Sequence, residues 1–467
     1  MTTPVPTPLP RSRPEDEGVL PAALDALLTR WAAVGVEAHG LTVLRRGRVV
    51  AEAAWAPYRA DSAQLVYSVS KTLTGCAAGL AVAEGVISLE DRLVDLFPEA
   101  ADVAGPRAAR LTLHHVLSMS TGHREDTLDW LMADGDFPRH FLSREPEEEP
   151  GSWFVYHNGA TLMAALAVQR RTGERLLDHL RPRLLDPLGV EVSARPRSDG
   201  LDIGYSGMHL NTEGIARLGE LLRLDGVWQG RRLLPEGWVG RMTGFRVDTT
   251  AHPDPTDWHQ GYGYQVWRSR HDGFRADGAW GQYALVHPAA ELVVAVTSCS
   301  TDTQALLDAV WEELLAALAD GPLPRDDAAH ARLLERLGAA ALPPAASTAA
   351  PDRPGPWTFA HAPDEDHPAL RSLRVEASGS THAPWRLVVD DGAELVLAAG
   401  DGAWEDTDGP FSASAGWSAP GVLEARVAAT ATPHVLHLRG EDGVLTARWN
   451  GRPLGWAALR GLRAPGT

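Results

Sequence analysis

Strand-like segments sit at two widely separated places in this 467-residue chain, with helices and loops between them. That spacing restricts the fold more than any other feature. The stretch from Gly40 to Trp55 reads as two strands around a turn at Arg46-Gly47-Arg48, and Gly261–Trp267, Gln282–His287 and Leu292–Ser298 read as further strands. Between them, apolar residues recur at helical spacing. Leu24, Leu27, Leu28 and Trp31 mark a helix within residues 21–35, and Leu73, Cys76, Ala77, Leu80 and Ala81 mark one from about Ser68 to Glu84. An amphipathic helix is expected at Gln304–Asp320. A sheet built from both ends of a helical region is an α+β domain, expected here over residues 21–325 after a disordered stretch at 1–20.

Composition then changes. Residues 326–356 read as a linker, because Gly338–Pro356 is rich in Ala, Pro, Ser and Thr with little periodicity. Residues 357–467 read as a small all-β domain, barrel or sandwich, with strand-like runs at Trp385–Val389, Val435–Leu438 and Val444–Trp449. Its tryptophans (Trp357, Trp385, Trp404, Trp417, Trp449 and Trp456) are expected in a core rather than on a ligand platform.

A formal net charge of −18 argues against binding to nucleic acid or to anionic membranes. The two cysteines, Cys76 and Cys299, make no disulfide framework and have no metal-ligand spacing, and no H-E-x-x-H is present. Neither a metal nor another cofactor is therefore expected. No run approaches the roughly 20 apolar residues of a membrane span. The polar, proline-bearing start from Met1 to Pro6 lacks the pattern of an export signal, so a cytoplasmic location is expected.

Among 43 basic residues there is a single lysine, Lys71. Arginine is effectively never deprotonated, whereas a buried lysine loses its proton readily and becomes a base. Lys71 lies three residues after Ser68, close to one helical turn, so amine and hydroxyl share a face at a helix N-terminus. Ser70, adjacent to Lys71, is worse placed. A second element is Tyr156-His157-Asn158, whose phenol and amide fall on one side of an extended segment. Beside a lysine ammonium, the phenolate form of Tyr156 would be favoured, which suits a proton relay. His157 points the other way and reads as structural. A third element, Ala276-Asp277-Gly278-Ala279, precedes an apolar strand, and a backbone N–H after Gly278 would pair with that of Ser68 around an oxyanion.

The order S-x-x-K, Y-x-N and a Gly-rich strand resembles the class C β-lactamase-like serine hydrolases. That superfamily includes penicillin-binding-protein-like proteins, family VIII esterases and nylon-oligomer hydrolases. Supporting stretches are Ile87–Asp91, Leu111–Gly122, Asp186–Gly189, Gly204–Gly207 and Gly261–Tyr264, so the resemblance covers roughly residues 15–320. It implies an antiparallel sheet flanked by helices, with an all-helical subdomain. It further implies Ser68 as the acylated nucleophile, Lys71 as its base and Tyr156 as the proton relay. Asn158 would hold the Lys71 amine and a substrate carbonyl, and Ala279 N–H would complete the oxyanion hole beside Gly278. The sequence departs from the family at the third element. Where β-lactamases carry Lys-Thr-Gly it has Ala276-Asp277-Gly278, or, in a rival alignment, His271-Asp272-Gly273. An acid there repels a substrate carboxylate, which points away from β-lactams.

The expected activity is hydrolysis of a small-molecule ester or amide through acyl-Ser68. The alternatives are acyl transfer or cyclising thioesterase chemistry at the same serine, and a non-catalytic binding protein that recognises ligands through its β-domain. No G-x-S-x-G elbow of the α/β-hydrolase kind occurs. The Gly122–Pro150 loop, acidic at Glu147-Glu148-Glu149, is expected to shape the pocket with Trp130 and Trp153 as walls.

Overall fold

The computed structural model describes residues 8–128, 135–254, 256–407, 409–455, 458–463 and 465. A six-stranded antiparallel sheet runs in the order Arg48–Ala54, Ala38–Arg45, Leu292–Ser298, Gln282–His287, Phe274–Gly278, Trp267–Arg268. The N-terminal hairpin thus pairs directly with the last strand of the domain, Leu41 opposite Val296 and Val43 opposite Val294. These strands are apolar on both faces because both faces are covered. Val294 and Val296 pack against Leu24, Leu27 and Trp31 of the helix Pro21–Ala33. Val293 and Ala295 face the other way, toward Ile215 and Ala216 of the helix Thr212–Arg223. That helix lies close on the sheet at Gly219, where a Cβ would come within 2.7 Å of Val293.

The α+β architecture is as the sequence predicts, and the strands Gln282–His287 and Leu292–Ser298 have the expected bounds. Three local expectations are corrected. Of Gly261–Trp267 only Trp267 enters a regular strand; the backbone turns left-handed at Gly261 (φ 93°) and Gln265 (φ 61°), which interrupts the ladder. The helix after the sheet is regular only over Thr303–Ala309 and then widens and tightens through Leu315–Ala317. Residues 8–20, expected to be disordered, pack on the domain, since Leu9 and Val19 are buried and Val49 N–H donates to the Pro10 carbonyl.

Within 326–356, Asp327–Gly338 forms a helix capped by the Asp326 carboxylate, which accepts from Ala329 N–H. Nine further strands form one sheet that curls until Gly400 bridges Ser414, giving a barrel around Trp357, Phe359, Leu373, Leu387, Trp417, Leu423 and Leu438. Trp357 and Trp417 are core residues, 4.8 Å apart between rings; Trp456 lies outside the described residues. The barrel is bonded to the first domain near its N-terminal strands, through Leu65 N–H to the Ala431 carbonyl and Asn450 Nδ2 to Glu37. Among the described residues, no helix is long and apolar enough to cross a membrane.

Candidate active site

The helix Val69–Ala83 begins immediately after Ser68, so the serine is presented at its N-terminus, half-buried at the floor of a cleft of about 300 Å³. The preceding residue, Tyr67, holds a left-handed backbone (φ 47°), a costly conformation for a bulky side chain and one met at functional turns. Ser70 is occupied elsewhere: its hydroxyl donates to the Tyr67 carbonyl at 2.6 Å and accepts from Met208 N–H.

One turn into the helix, Lys71 is 1% exposed. Its Nζ lies 2.8 Å from Ser68 Oγ, 2.7 Å from Asn158 Oδ1 and 2.9 Å from the Tyr205 carbonyl oxygen. Burial brings its pKa down to about 7, against the opposing pull of Asp126 and Asp277. The three contacts define what the amine can do. The amide oxygen and the carbonyl oxygen only accept, so they take the two N–H bonds of a neutral amine and leave its lone pair aimed at the Ser68 hydroxyl.

Asn158 opens the helix Asn158–Thr172 rather than lying within an extended loop, and its orientation is fixed from both ends. Its Oδ1 accepts from Lys71, while its Nδ2 donates to Asp126 Oδ2 at 2.8 Å. The other Asp126 oxygen accepts from Gly159 N–H, so this carboxylate also caps the helix. Asp126 and the Tyr205 carbonyl are site components that sequence reading missed.

Tyr156 lies with its ring 4.8 Å from Lys71 Nζ and stacked on Trp267 at 5.5 Å. The expected phenolate character is corrected. Burial, with the Asp277 charge, pushes the Tyr156 pKa up, and a hydrogen bond with Ser68 only partly opposes this. Tyr156 is therefore a proton-bearing phenol. His157 is structural, as expected: fully buried, it accepts from Thr127 N–H at Nε2.

The strand Phe274–Gly278 brings the third element to the cleft, where Asp277, Gly278 and Ala279 all line the wall. Gly278 is required by close approach, since a Cβ there would sit 2.3 Å from the Val66 carbonyl oxygen. His271 instead lies in a separate turn against Trp311, so the structure favours the Ala276–Gly278 alignment. Asp277 accepts from Arg275 Nε at 2.8 Å, and Arg275 is fully buried with its guanidinium 4.6 Å from the Trp258 ring. Among the described residues, no arginine or lysine lines the cleft; Asp254 and Asp277 do, with His252, whose pKa burial lowers.

The pocket walls differ from those expected. Trp153 packs under the Arg124 guanidinium and does not line the cleft, and Trp130 lies outside the described residues. Trp258, Trp267 and Trp280 take that place. Glu148 and Glu149 are paired with Arg124, Arg107 and Arg110 on the surface. Among the described residues, His361, Asp364 and His367 are close enough to share a metal ion. They lie in the barrel, not in the cleft, and Asp364 already accepts from His367 N–H and Nδ1.

Comparison with known proteins bears on the family and the fold. The chain is 27% identical over 241 residues to the 6-aminohexanoate-dimer hydrolase of Paenarthrobacter ureafaciens, covering 46% of this chain and 61% of that one. It is 28% identical over 163 residues to the lovastatin esterase of Penicillium rubens, covering 29% and 40%. The chain thus spans less than two thirds of these two relatives. A solved structure described as a 6-aminohexanoate-dimer hydrolase from Bacillus anthracis superposes with a TM-score of 0.55 at 18% identity, over 67% of this chain and 87% of that one. The Beta-lactamase family model matches residues 25–319, a span that contains Ser68, Lys71, Tyr156 and Gly278 together with every strand of the six-stranded sheet. A match over more than half of the chain, on the fold and motif order described above, places the protein in the Beta-lactamase family.

Proposed function

We propose that the protein is a serine hydrolase that cleaves a small-molecule ester or amide through an acyl-Ser68 intermediate. The observation that carries this reading is the position of the Lys71 amine, buried, its pKa lowered by that burial to about 7, and 2.8 Å from Ser68 Oγ. Neutral Lys71 takes the Ser68 proton as Oγ attacks the carbonyl carbon. The oxyanion forms against the backbone N–H groups of Ser68 and Ala279, where the helix N-terminus adds favourable potential. Tyr156 gives its phenolic proton to the leaving oxygen or nitrogen, and Lys71 returns a proton to Tyr156. Water then attacks the acyl carbon, its proton passes to the Tyr156–Lys71 pair, and Ser68 leaves as the hydroxyl.

The cleft also bears on the substrate. The side chains at the third element carry negative rather than positive charge, between aromatic walls. Asp277 is paired with Arg275, so neither its charge nor that of the guanidinium is free to hold a substrate carboxylate, and a group seated there is neutral or cationic.

Fluorophosphonate labelling and turnover of p-nitrophenyl esters test the reading. Both are expected in the native protein and lost in Ser68→Ala. Lys71→Arg keeps a cation but cannot supply a lone pair, and acylation is expected to fall by about 10²–10⁴-fold. Labelling that persists in Ser68→Ala, or near-native acylation in Lys71→Arg, defeats the proposal.

A further inference from the structure

Beside the catalytic cleft lies a second cavity, of about 230 Å³, formed where the barrel meets the first domain. Tyr205, Ser206 and Leu454 line both, so the two spaces adjoin across these three residues. Its volume is below the roughly 300–1,000 Å³ of a pocket that encloses a whole drug-sized ligand, which suits one arm of a substrate rather than a separate molecule. Leu65 and Ile203 of the first domain and Leu462 of the C-terminal segment supply apolar wall. Two cations complete it, Arg195 from the first domain and Arg463 from the C-terminal segment.

These cations have no acidic partner among the described residues. Arg195 Nη2 donates to the Arg463 carbonyl at 3.1 Å, which brings the two residues together across the domain boundary. Arg463 Nε is buried without a hydrogen-bond acceptor among the described residues. A buried N–H of a cation left unpaired is costly unless something accepts from it. Of the remaining titratable wall residues, Tyr205 keeps its proton because burial raises its pKa, and burial lowers His209 to about 4, so neither is charged at neutral pH. The charge pattern is thus the reverse of that at Asp277: acidic at the third element, basic across Leu454.

We infer that this interdomain cavity is a substrate subsite for an apolar arm ending in a carboxylate, which pairs with Arg195 and Arg463. The inference rests on the acyl-Ser68 reading and adds the position of the substrate's negative charge. It also gives the β-barrel a part in recognition, since Leu454, Leu462 and Arg463 follow its last strand. Guanidinium groups favour a planar carboxylate through paired N–H donors.

The test is a matched series of p-nitrophenyl esters of straight-chain acids against the corresponding ω-carboxy acids. A parallel series uses acetate esters of plain alcohols against those of ω-hydroxy acids, which places the arm on the alcohol side instead. In one of the two series kcat/KM is expected to favour the carboxylated member by at least about tenfold, as expected of a charged hydrogen-bonded pair. The preference is expected to vanish in Arg195→Gln/Arg463→Gln and to return in part in Arg195→Lys/Arg463→Lys, which separates charge recognition from misfolding. Ser68-dependent turnover without a carboxylate preference in either series overturns this inference alone, as does a preference that survives the glutamine variant. Absence of Ser68 labelling in the native protein overturns both readings.

Discussion

The Tyr67 hydroxyl lies 2.5 Å from Nε2 of His434, so the residue before the candidate nucleophile is hydrogen-bonded to the C-terminal barrel. The direction of that bond follows from the other ring nitrogen. His434 Nδ1 is 2.7 Å from the Gly451 carbonyl oxygen, which only accepts, so Nδ1 carries the proton and Nε2 accepts from Tyr67. Leu454 N–H in turn donates to the Tyr67 oxygen at 3.4 Å. A left-handed residue next to Ser68 is thereby held by contacts 367 and 387 residues away in sequence.

His434→Ala removes that acceptor and leaves the proton of a buried phenol without a partner. The expected cost is about 1–3 kcal/mol of stability, with slower fluorophosphonate labelling of Ser68 as Tyr67 loses its restraint. Guanidinium melts and labelling rates measure the two effects. Unchanged labelling in a destabilised variant would reduce His434 to a packing residue.

In the proposed mechanism the pKa of Lys71 sets the acid limb of the rate profile. A base must be neutral to act, so kcat/KM is expected to rise with pH and level off above about 7. Asp277 favours the charged amine, so Asp277→Asn is expected to move that limb to lower pH. A limb that stays in place in this variant argues that another group controls it.

Much of this site was legible because its side chains carry chemistry at short spacing: a lone lysine one turn after a serine, a Y-x-N, a glycine before a strand. The missing parts have no such signature. The Tyr205 group that accepts from Lys71 is a backbone carbonyl, which any residue supplies. Asp126 acts on Asn158 from 32 residues earlier, and Leu454 reaches the cleft from beyond the barrel's last strand. The misread strand at Gly261–Trp267 has a similar origin. Its alternating aromatics imitate a strand, but Gln265 turns left-handed so that its side chain can bond the Leu117 carbonyl and the Thr161 hydroxyl. Tertiary demand outweighed local pattern there.

Three buried histidines make acid stability a second pH-dependent property. Burial lowers His157 and His434 to about 3 and His209 to about 4, from 6.5 in a free chain. Because the folded values are depressed, their neutral forms contribute full stability above pH 6.5, and that contribution is lost as pH falls toward 4. Within that window each proton taken up only by the unfolded chain costs about 1.4 kcal/mol per pH unit. The denaturant midpoint is therefore expected to drop steeply between pH 6.5 and 4, and a flat midpoint over that range would contradict the burial of these rings.

Asp277 stands where the sequence resemblance leads one to expect the threonine of a Lys-Thr-Gly, and its partner explains why a simple change there is costly. Arg275 has no exposed side-chain surface, lies over Trp258, and has Asp277 as its carboxylate partner at 2.8 Å. Removing the acid takes away the carboxylate that Arg275 is hydrogen-bonded to and leaves only the Asp257 charge nearby, so Asp277→Ala is expected to cost up to about 3–5 kcal/mol. Asp277→Asn retains an oxygen that accepts from Arg275 Nε and is expected to cost less. If the pair rather than the shape of Asp277 is responsible, Asp277→Ala/Arg275→Met recovers much of the loss, because an apolar side chain of similar length needs no counter-charge. Melting temperatures of the three variants decide this: equal losses in Asp277→Ala and the double variant would mean that Asp277 stabilises the strand by means other than its bond to Arg275.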